Sequence, residues 1–168
     1  MDLLVVRHAI AEEREAFAQT GKDDAERPLT SEGRRKFQRA ARGLRKILDS
    51  IDLLATSTLV RAIETGELLE AALGIEGTAR LRELAPDADP ASLLPWLRRR
   101  RRHRLVAVVG HEPHLSHLIG YLLVGRSAGF VDLKKGGVCL LDLGTAPEPG
   151  RAQLRWHLTP GQLRRLGR

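Results

Sequence analysis

Leu105-Val106-Ala107-Val108-Val109, running into Gly110-His111-Glu112-Pro113, is the most strand-like stretch of this chain, and it ends in residues with chemistry to offer. Five consecutive apolar residues suit a strand covered on both faces, as parallel strands are. Leu3-Leu4-Val5-Val6 has the same character and leads directly into Arg7-His8. A third run, Asp52–Thr56, leads into Ser57-Thr58-Leu59-Val60-Arg61. Histidine can act as nucleophile or acid, and arginine grips phosphate with a planar fork.

Helical patterns alternate with these strands. Residues 9–29 read as a mostly polar loop ending in Arg27-Pro28-Leu29. Thr30 then caps a helix to about Leu48, with Phe37, Ala40, Ala41, Leu44 and Leu48 on one face. Ser57 or Thr58 is expected to cap a helix through Ala72, stopped by Gly74. A short strand falls near Thr78–Leu81, and Asp87 or Asp89 opens a helix that ends in Arg98–Arg102. Glu112-Pro113 starts a helix to Val124, with Pro113 in its first turn. Gly136-Gly137 divides a piece at Phe130–Leu133 from a strand at Val138–Leu143. Pro147-Glu148-Pro149-Gly150 reads as a hairpin loop before a last strand, Gln153–Leu158, and Thr159 and Pro160 open a terminal helix. The alternation predicts an α/β fold in one domain over residues 1–168. Its architecture is a three-layer sandwich, a mostly parallel central sheet with helices on both faces.

Open parallel sheets bind ligands outside the carboxyl ends of their strands. His8, Ser57 and His111 all fall at such ends. Arg61 lies one helical turn beyond Ser57 and can point back over the same edge. The residues after His111 open a helix whose free N–H groups favour an anion. These placements converge on a site for a phosphoryl group. The remaining basic groups have ordinary readings: His114 and His117 structural or surface, His103 and His157 surface, Arg98–Arg102 a solvated helix end. His111, His114 and His117 do not share one helix face, and no carboxylate-rich segment accompanies them, so they do not read as a metal site.

Composition narrows the classes. The chain has 168 residues, 42% of them hydrophobic, enough for a domain with a real core. No apolar stretch is long enough to span a bilayer and no leader pattern opens the chain, so a cytoplasmic location is expected. The single cysteine, Cys139, excludes an internal disulfide, and its flanks Val138 and Leu140 suggest a buried thiol. A formal charge of +7 and a pI near 10.4 favour anionic partners. Aromatic residues are only 4%, which supplies few stacking platforms for single-stranded nucleic acid, and no recognised nucleic-acid motif is present.

Arg7-His8-Ala9, Arg27-Pro28-Leu29-Thr30-Ser31-Glu32-Gly33, Ser57–Thr65 and Gly110-His111-Glu112-Pro113 together resemble, in order, the motifs of the histidine phosphatase superfamily, the phosphoglycerate-mutase-like fold. The resemblance covers about residues 3–143. The small size is similar to the SixA-type branch, the phosphohistidine phosphatases, and only twenty residues lie between Leu84 and Leu105, where larger members carry a covering insertion. An open site is therefore expected. Ala9 stands where many members have glycine.

The resemblance implies that His8 is the nucleophile and forms a phosphohistidine intermediate. Arg7 and Arg61 would clamp the phosphoryl oxygens, and His111 would bond the phosphoryl group as charge develops. Ser57 and Glu112 join the phosphate-binding set. Glu83, in Arg82-Glu83-Leu84-Ala85-Pro86, aligns with a family carboxylate that serves as general acid; it also reads as an ordinary surface glutamate, and Glu112 is a rival donor. No metal and no cofactor are implied. The expected function is a metal-independent phosphatase acting on phosphohistidine-bearing proteins, with small phosphate esters as the alternative substrates. A basic nucleic-acid or phospho-ligand binding module is the alternative of a different class.

Overall fold

A computed structural model describes residues 1–129 and 131–168. Strand β1 (Asp2–Arg7) lies at the centre of a six-stranded sheet. With β2 (Leu53–Thr56), β3 (Thr78–Arg80), β4 (Leu105–Gly110), β5 (Val138–Asp142) and β6 (Gln153–Leu158), the order is β3-β2-β4-β1-β5-β6. The β2–β3, β2–β4 and β1–β4 pairs are parallel, whereas β1–β5 and β5–β6 are antiparallel. This is the expected mostly parallel sheet, with the Pro147–Gly150 segment joining its antiparallel end.

The sheet separates two cores because side chains alternate along each strand. Leu4, Val6, Leu54, Ala107, Val109 and Val138 face one layer with Phe37, Ala41, Leu44, Leu69 and Leu163. Those partners come from α2 (Ser31–Arg45), α3 (Val60–Leu73) and α6 (Pro160–Leu166). Leu3, Val5, Ala55, Val106, Val108 and Cys139 face the other layer, built on α4 (Leu94–Arg99) and α5 (His114–Val124) with Trp96, Leu97, Leu115 and Ile119. Every residue of β4 is buried, as its continuous apolar run requires. Burial pushes the Cys139 thiol up to about 12, so it is an inert core group.

Local signals set most boundaries. Thr30 accepts a hydrogen bond from the Gly33 N–H at 2.9 Å, and Thr159 with Gln162 forms a complete capping box on α6. Gly74 closes α3 at φ 67°, a left-handed value that glycine takes without strain.

Other expectations need correction. The segment 9–29 carries a short helix, α1 (Arg14–Ala18), a 3-10 turn at Asp24–Glu26 and a bridge between Ala11 and Leu29. Ser57 does not cap α3, which starts after Leu59 with no side-chain cap. Pro113 precedes α5 rather than lying in its first turn. The Asp89 helix is a 3-10 turn, Pro90–Leu93, that passes into α4. The arginine run is not simply solvated: the Arg98 Nε–H donates to the Pro147 carbonyl at 3.1 Å, and Arg100 lies 4.0 Å over the Trp96 ring. His103 and His157 are half-buried rather than on the surface. In the piece expected at Phe130–Leu133, Phe130 lies outside the described residues, and residues 131–133 form no regular element.

Helix α6 packs against α2 through glycine. A Cβ at Gly43 would stand 2.0 Å from the Leu163 carbonyl oxygen. Helix propensity alone would make Gly43→Ala stabilising by about 1 kcal/mol. The backbone collision outweighs it, so the substitution is expected to destabilise by about 1–3 kcal/mol. Urea unfolding checks this; a raised midpoint at unchanged slope would show that α2 and α6 separate at little cost.

Candidate active site

Parallel register brings the chemical residues to one edge. Arg7 pairs with Gly110 across β1 and β4, the His8 N–H donates to the Gly110 carbonyl at 3.0 Å, and the Ser57 N–H donates to the Val109 carbonyl at 3.0 Å. The chain turns just past these bonds, so His8, Ser57 and His111 emerge side by side. The His8 and His111 rings lie 5.0 Å apart between centroids, inclined at 51°.

A cavity of about 220 Å³ opens over them, lined by Arg7, His8, Arg27, Arg61, His111 and Glu112, with Glu13, Arg14, Pro86 and Lys135 around them. Five of these ten residues are cationic side chains against two carboxylates, so the cavity favours an anion. Of the residues singled out from sequence, Arg7, His8, Arg61, His111 and Glu112 line it. Two do not. Ser57 is fully buried behind His111, its Oγ 2.6 Å from the imidazole Nε2, while Oγ also accepts the Leu59 N–H at 3.3 Å. Its hydroxyl bonds the ring and is closed off from solvent. Glu83 sits half-buried on a 3-10 turn, Arg82–Leu84, and is not among the lining residues, to which this segment contributes Pro86.

The loop after β1 is pinned on several sides. The Ala9 N–H donates to Thr65 Oγ1 at 3.0 Å, and the Thr65 hydroxyl donates to the Arg61 carbonyl at 2.6 Å. The Gly136 N–H donates to the His8 carbonyl at 3.0 Å. His8 Nδ1–H donates to the Ala9 carbonyl at 2.7 Å, which fixes the neutral tautomer with its lone pair on Nε2. Burial, joined by the charges of Arg61, Arg7 and Arg27 and opposed by the bond to Ala9, pushes His8 down to about 3. Burial, then the His8 and Arg61 charges, pushes His111 to about 2. Both imidazoles are neutral at pH 7. His111 Nδ1 has no partner among the described residues.

The arginines are held by an aspartate that the sequence did not single out. Asp24 lies on the 3-10 turn of segment 9–29. Arg61, only 2% exposed, donates through Nη1 to the Asp24 carbonyl at 2.9 Å and pairs through Nη2 with its carboxylate at 3.1 Å. Arg27 donates from Nε to the same carboxylate at 2.8 Å and from Nη1 to the Glu12 carbonyl at 2.6 Å. Partial burial would raise the Asp24 carboxyl, but the Arg27 hydrogen bond and the Arg61, Arg27 and Arg14 charges outweigh it and hold it below its usual range. Arg7 is anchored separately, donating from Nη1 to the Leu133 carbonyl at 2.6 Å. The Nε groups of Arg7 and Arg61 are buried without a partner among the described residues. Glu64 ties the segment 27–30 to α3, accepting the Leu29 N–H at 2.7 Å and pairing with Arg34.

Glu112 directs one oxygen toward Ser116, whose hydroxyl and N–H both donate to Oε2, while Oε1 is buried without a partner among the described residues. His114 is buried away from the cavity lining, and burial, with the His117 charge, lowers it to about 4. Among the described residues, no cluster of histidine, cysteine and carboxylate side chains is placed to hold a metal ion.

Residues 3–88 match the family model of the Histidine phosphatase superfamily (branch 1), more than half of the chain. An uncharacterized protein of Picosynechococcus sp. is 31% identical over 148 residues, 87% of each chain. Among solved structures, a protein histidine phosphatase SixA complexed with tungstate superposes with a TM-score of 0.84 at 23% identity, covering 97% of this chain and 99% of its own. The alpha-ribazole phosphatase of Shigella flexneri gives a TM-score of 0.71 at 19% identity over 95% and 97% of the two chains. The family match stops short of His111, which the fold itself returns to the side of His8. The chain belongs to the histidine phosphatase superfamily.

Proposed function

We propose that this protein is a phosphatase that works through a covalent phosphohistidine on His8, with a phosphohistidine-bearing protein as its substrate. The observation that carries the reading is a neutral His8, its lone pair on Nε2, in a cation-lined cavity beside a second neutral histidine. The solved SixA structure of the same fold is complexed with tungstate, a phosphate-like oxyanion, which supports an oxyanion as the ligand.

In the first step the Nε2 lone pair attacks phosphorus. The bond from phosphorus to the substrate nitrogen breaks, and its electron pair leaves with the substrate imidazole, which takes a proton. In the second step water attacks the same phosphorus, the bond to His8 breaks, and inorganic phosphate leaves while the pair returns to Nε2. Arg7, Arg27 and Arg61 compensate the phosphoryl charge, which is most of what this chemistry demands. If the Ser57 hydroxyl donates to His111 Nε2, the His111 proton sits on Nδ1, a buried donor for a phosphoryl oxygen. No insertion covers the cavity between Leu84 and Leu105, which suits a substrate carried on a folded protein.

The reading is tested by assaying phosphohistidine proteins and small phosphate esters side by side. A higher kcat/KM on the proteins is expected; turnover of small esters alone would move the assignment to them, and turnover of neither would end it. Protonation removes the lone pair of His8, so the fraction of active free enzyme falls only below its lowered pKa. With His8 near 3, kcat/KM corrected for substrate ionisation should stay level from pH 8 down to pH 5. An acid limb centred near the ordinary histidine value of about 6.5 would contradict a neutral, buried nucleophile.

Glu112 lines the cavity and Glu83 does not, which supports Glu112 as the donor of a proton to a leaving group. Glu112→Gln is expected to slow alkyl-phosphate hydrolysis by about 10²-fold. Phosphohistidine, whose imidazole leaves more readily, should suffer less, and Glu83→Gln should stay near wild type throughout. Rates across a leaving-group series check this. A larger loss in the Glu83 variant would restore that residue as the acid.

A further inference from the structure

A second cavity, of about 190 Å³, adjoins the first and has no part in the chemistry described above. Its walls come from four separate segments. Ala9 and Ile10 follow His8; Gly33, Lys36 and Phe37 lie on α2; Lys135 and Gly136 precede β5; Pro160 and Arg164 lie on α6. Lys135 lines both this cavity and that of His8, so the two are neighbours across its side chain. The lining of this second groove is apolar at Ile10, Phe37 and Pro160, cationic at Lys36, Lys135 and Arg164, and contains no carboxylate. Gly136, at φ 78°, keeps the groove open, since a Cβ there would press to 3.2 Å against the Phe37 ring.

The cations differ in their availability. Lys36, half-buried, pairs with the exposed Glu32 one turn back on α2 at 2.6 Å, a contact of little energy that an incoming anion can replace. Lys135 and Arg164 have no ion-pair partner among the described residues, although both are partly buried. Such cations, spaced around an aromatic and proline floor, complement a chain segment carrying carboxylates and an apolar side chain. A phosphate alone would leave the floor empty.

We infer that this groove is a substrate-docking site for an acidic segment of the protein partner, seating an apolar side chain over Phe37 and Pro160 and carboxylates against Lys36, Lys135 and Arg164, next to the phosphohistidine presented to His8. The inference rests on the proposed function and assigns that site its partner chemistry: an acidic phosphoprotein surface.

The test uses ten-residue synthetic peptides with a central phosphohistidine, flanked by Asp, Glu and Leu in one series, by Ala in a second and by Lys and Leu in a third. Free phosphohistidine serves as the fourth probe. Wild type should prefer the acidic series by KM, with kcat little changed. The Lys36→Glu/Arg164→Glu variant alters only residues outside the His8 cavity. It should raise KM for the acidic series roughly tenfold, the scale of two partly exposed charge pairs. It should also lower KM for the lysine series and leave free phosphohistidine unchanged. Lys36→Gln/Arg164→Gln should show a smaller loss without the reversal, and matched melting temperatures confirm that both variants fold. Equal KM values for all three series in wild type, or a variant that slows free phosphohistidine as much as the peptides, would overturn the docking site. Failure of wild type on free phosphohistidine and on every peptide would instead count against the proposed function itself.

Discussion

His8→Ala is expected to abolish turnover, by at least about 10⁴-fold, the scale on which hydrolases lose rate when a covalent nucleophile is removed. The imidazole stands at the end of β1 with Nδ1–H committed to the Ala9 carbonyl, and its Nε2 is the lone pair that the cations around the cavity are arranged to serve. The fold should survive, because His8 belongs to neither apolar core and the loop is held by the backbone bonds of His8, Ala9 and Gly136. Incubating wild type with labelled substrate and quenching in alkali should trap acid-labile, base-stable phosphate on His8, and the alanine variant should trap none. Label on a serine, or full activity in the variant, would sink the mechanism.

The second large effect is expected at Arg61. Lysine there keeps the positive charge but loses the planar fork. Arg61 uses both terminal nitrogens on Asp24, one on its carbonyl and one on its carboxylate, from a position that is 2% exposed. A lysine cannot hold both oxygens and face a phosphoryl group at once. Asp24 would then loosen, and with it Arg27, which shares the carboxylate. Arg61→Lys should therefore cost about a hundredfold in kcat/KM, equivalent to about 2–3 kcal/mol of transition-state contact. Stopped assays on a refolding-competent variant check this. A lysine variant near wild type would place Arg61 outside the reacting shell.

Much of the site was legible because the strands are. Arg7, His8 and His111 follow apolar runs too continuous to be anything but buried, and a parallel sheet must carry such residues to one edge. Arg61 was legible from its offset into the helix after β2. Glu83 rests on the resemblance of segments and on no local period. Glu83 lies on the 3-10 turn at Arg82–Leu84, and from this stretch it is Pro86 that lines the cavity. Ser57 has the local signature of a cap, since serine before a helix usually accepts one of its free N–H groups, yet α3 starts later, after Leu59. The Ser57 hydroxyl found a stronger partner in His111, fifty-four residues away, once β2 and β4 were in register.

The sequence by itself determined the element order, the two-sided core and the identity of the strand-end histidines and arginines. Each of these follows from local periodicity or from a strand's need to be covered. Only the tertiary structure decided the role of segment 9–29. Its polar composition carries no period, so nothing local says that Asp24 returns to hold Arg27 and Arg61, or that Arg14 reaches the cavity rim. The same holds for Lys135, an unremarkable lysine in sequence that stands where two cavities meet. Contacts between residues far apart in the chain are set by how layers pack and loops close, and a single sequence records those only through the apolar faces that make the packing favourable.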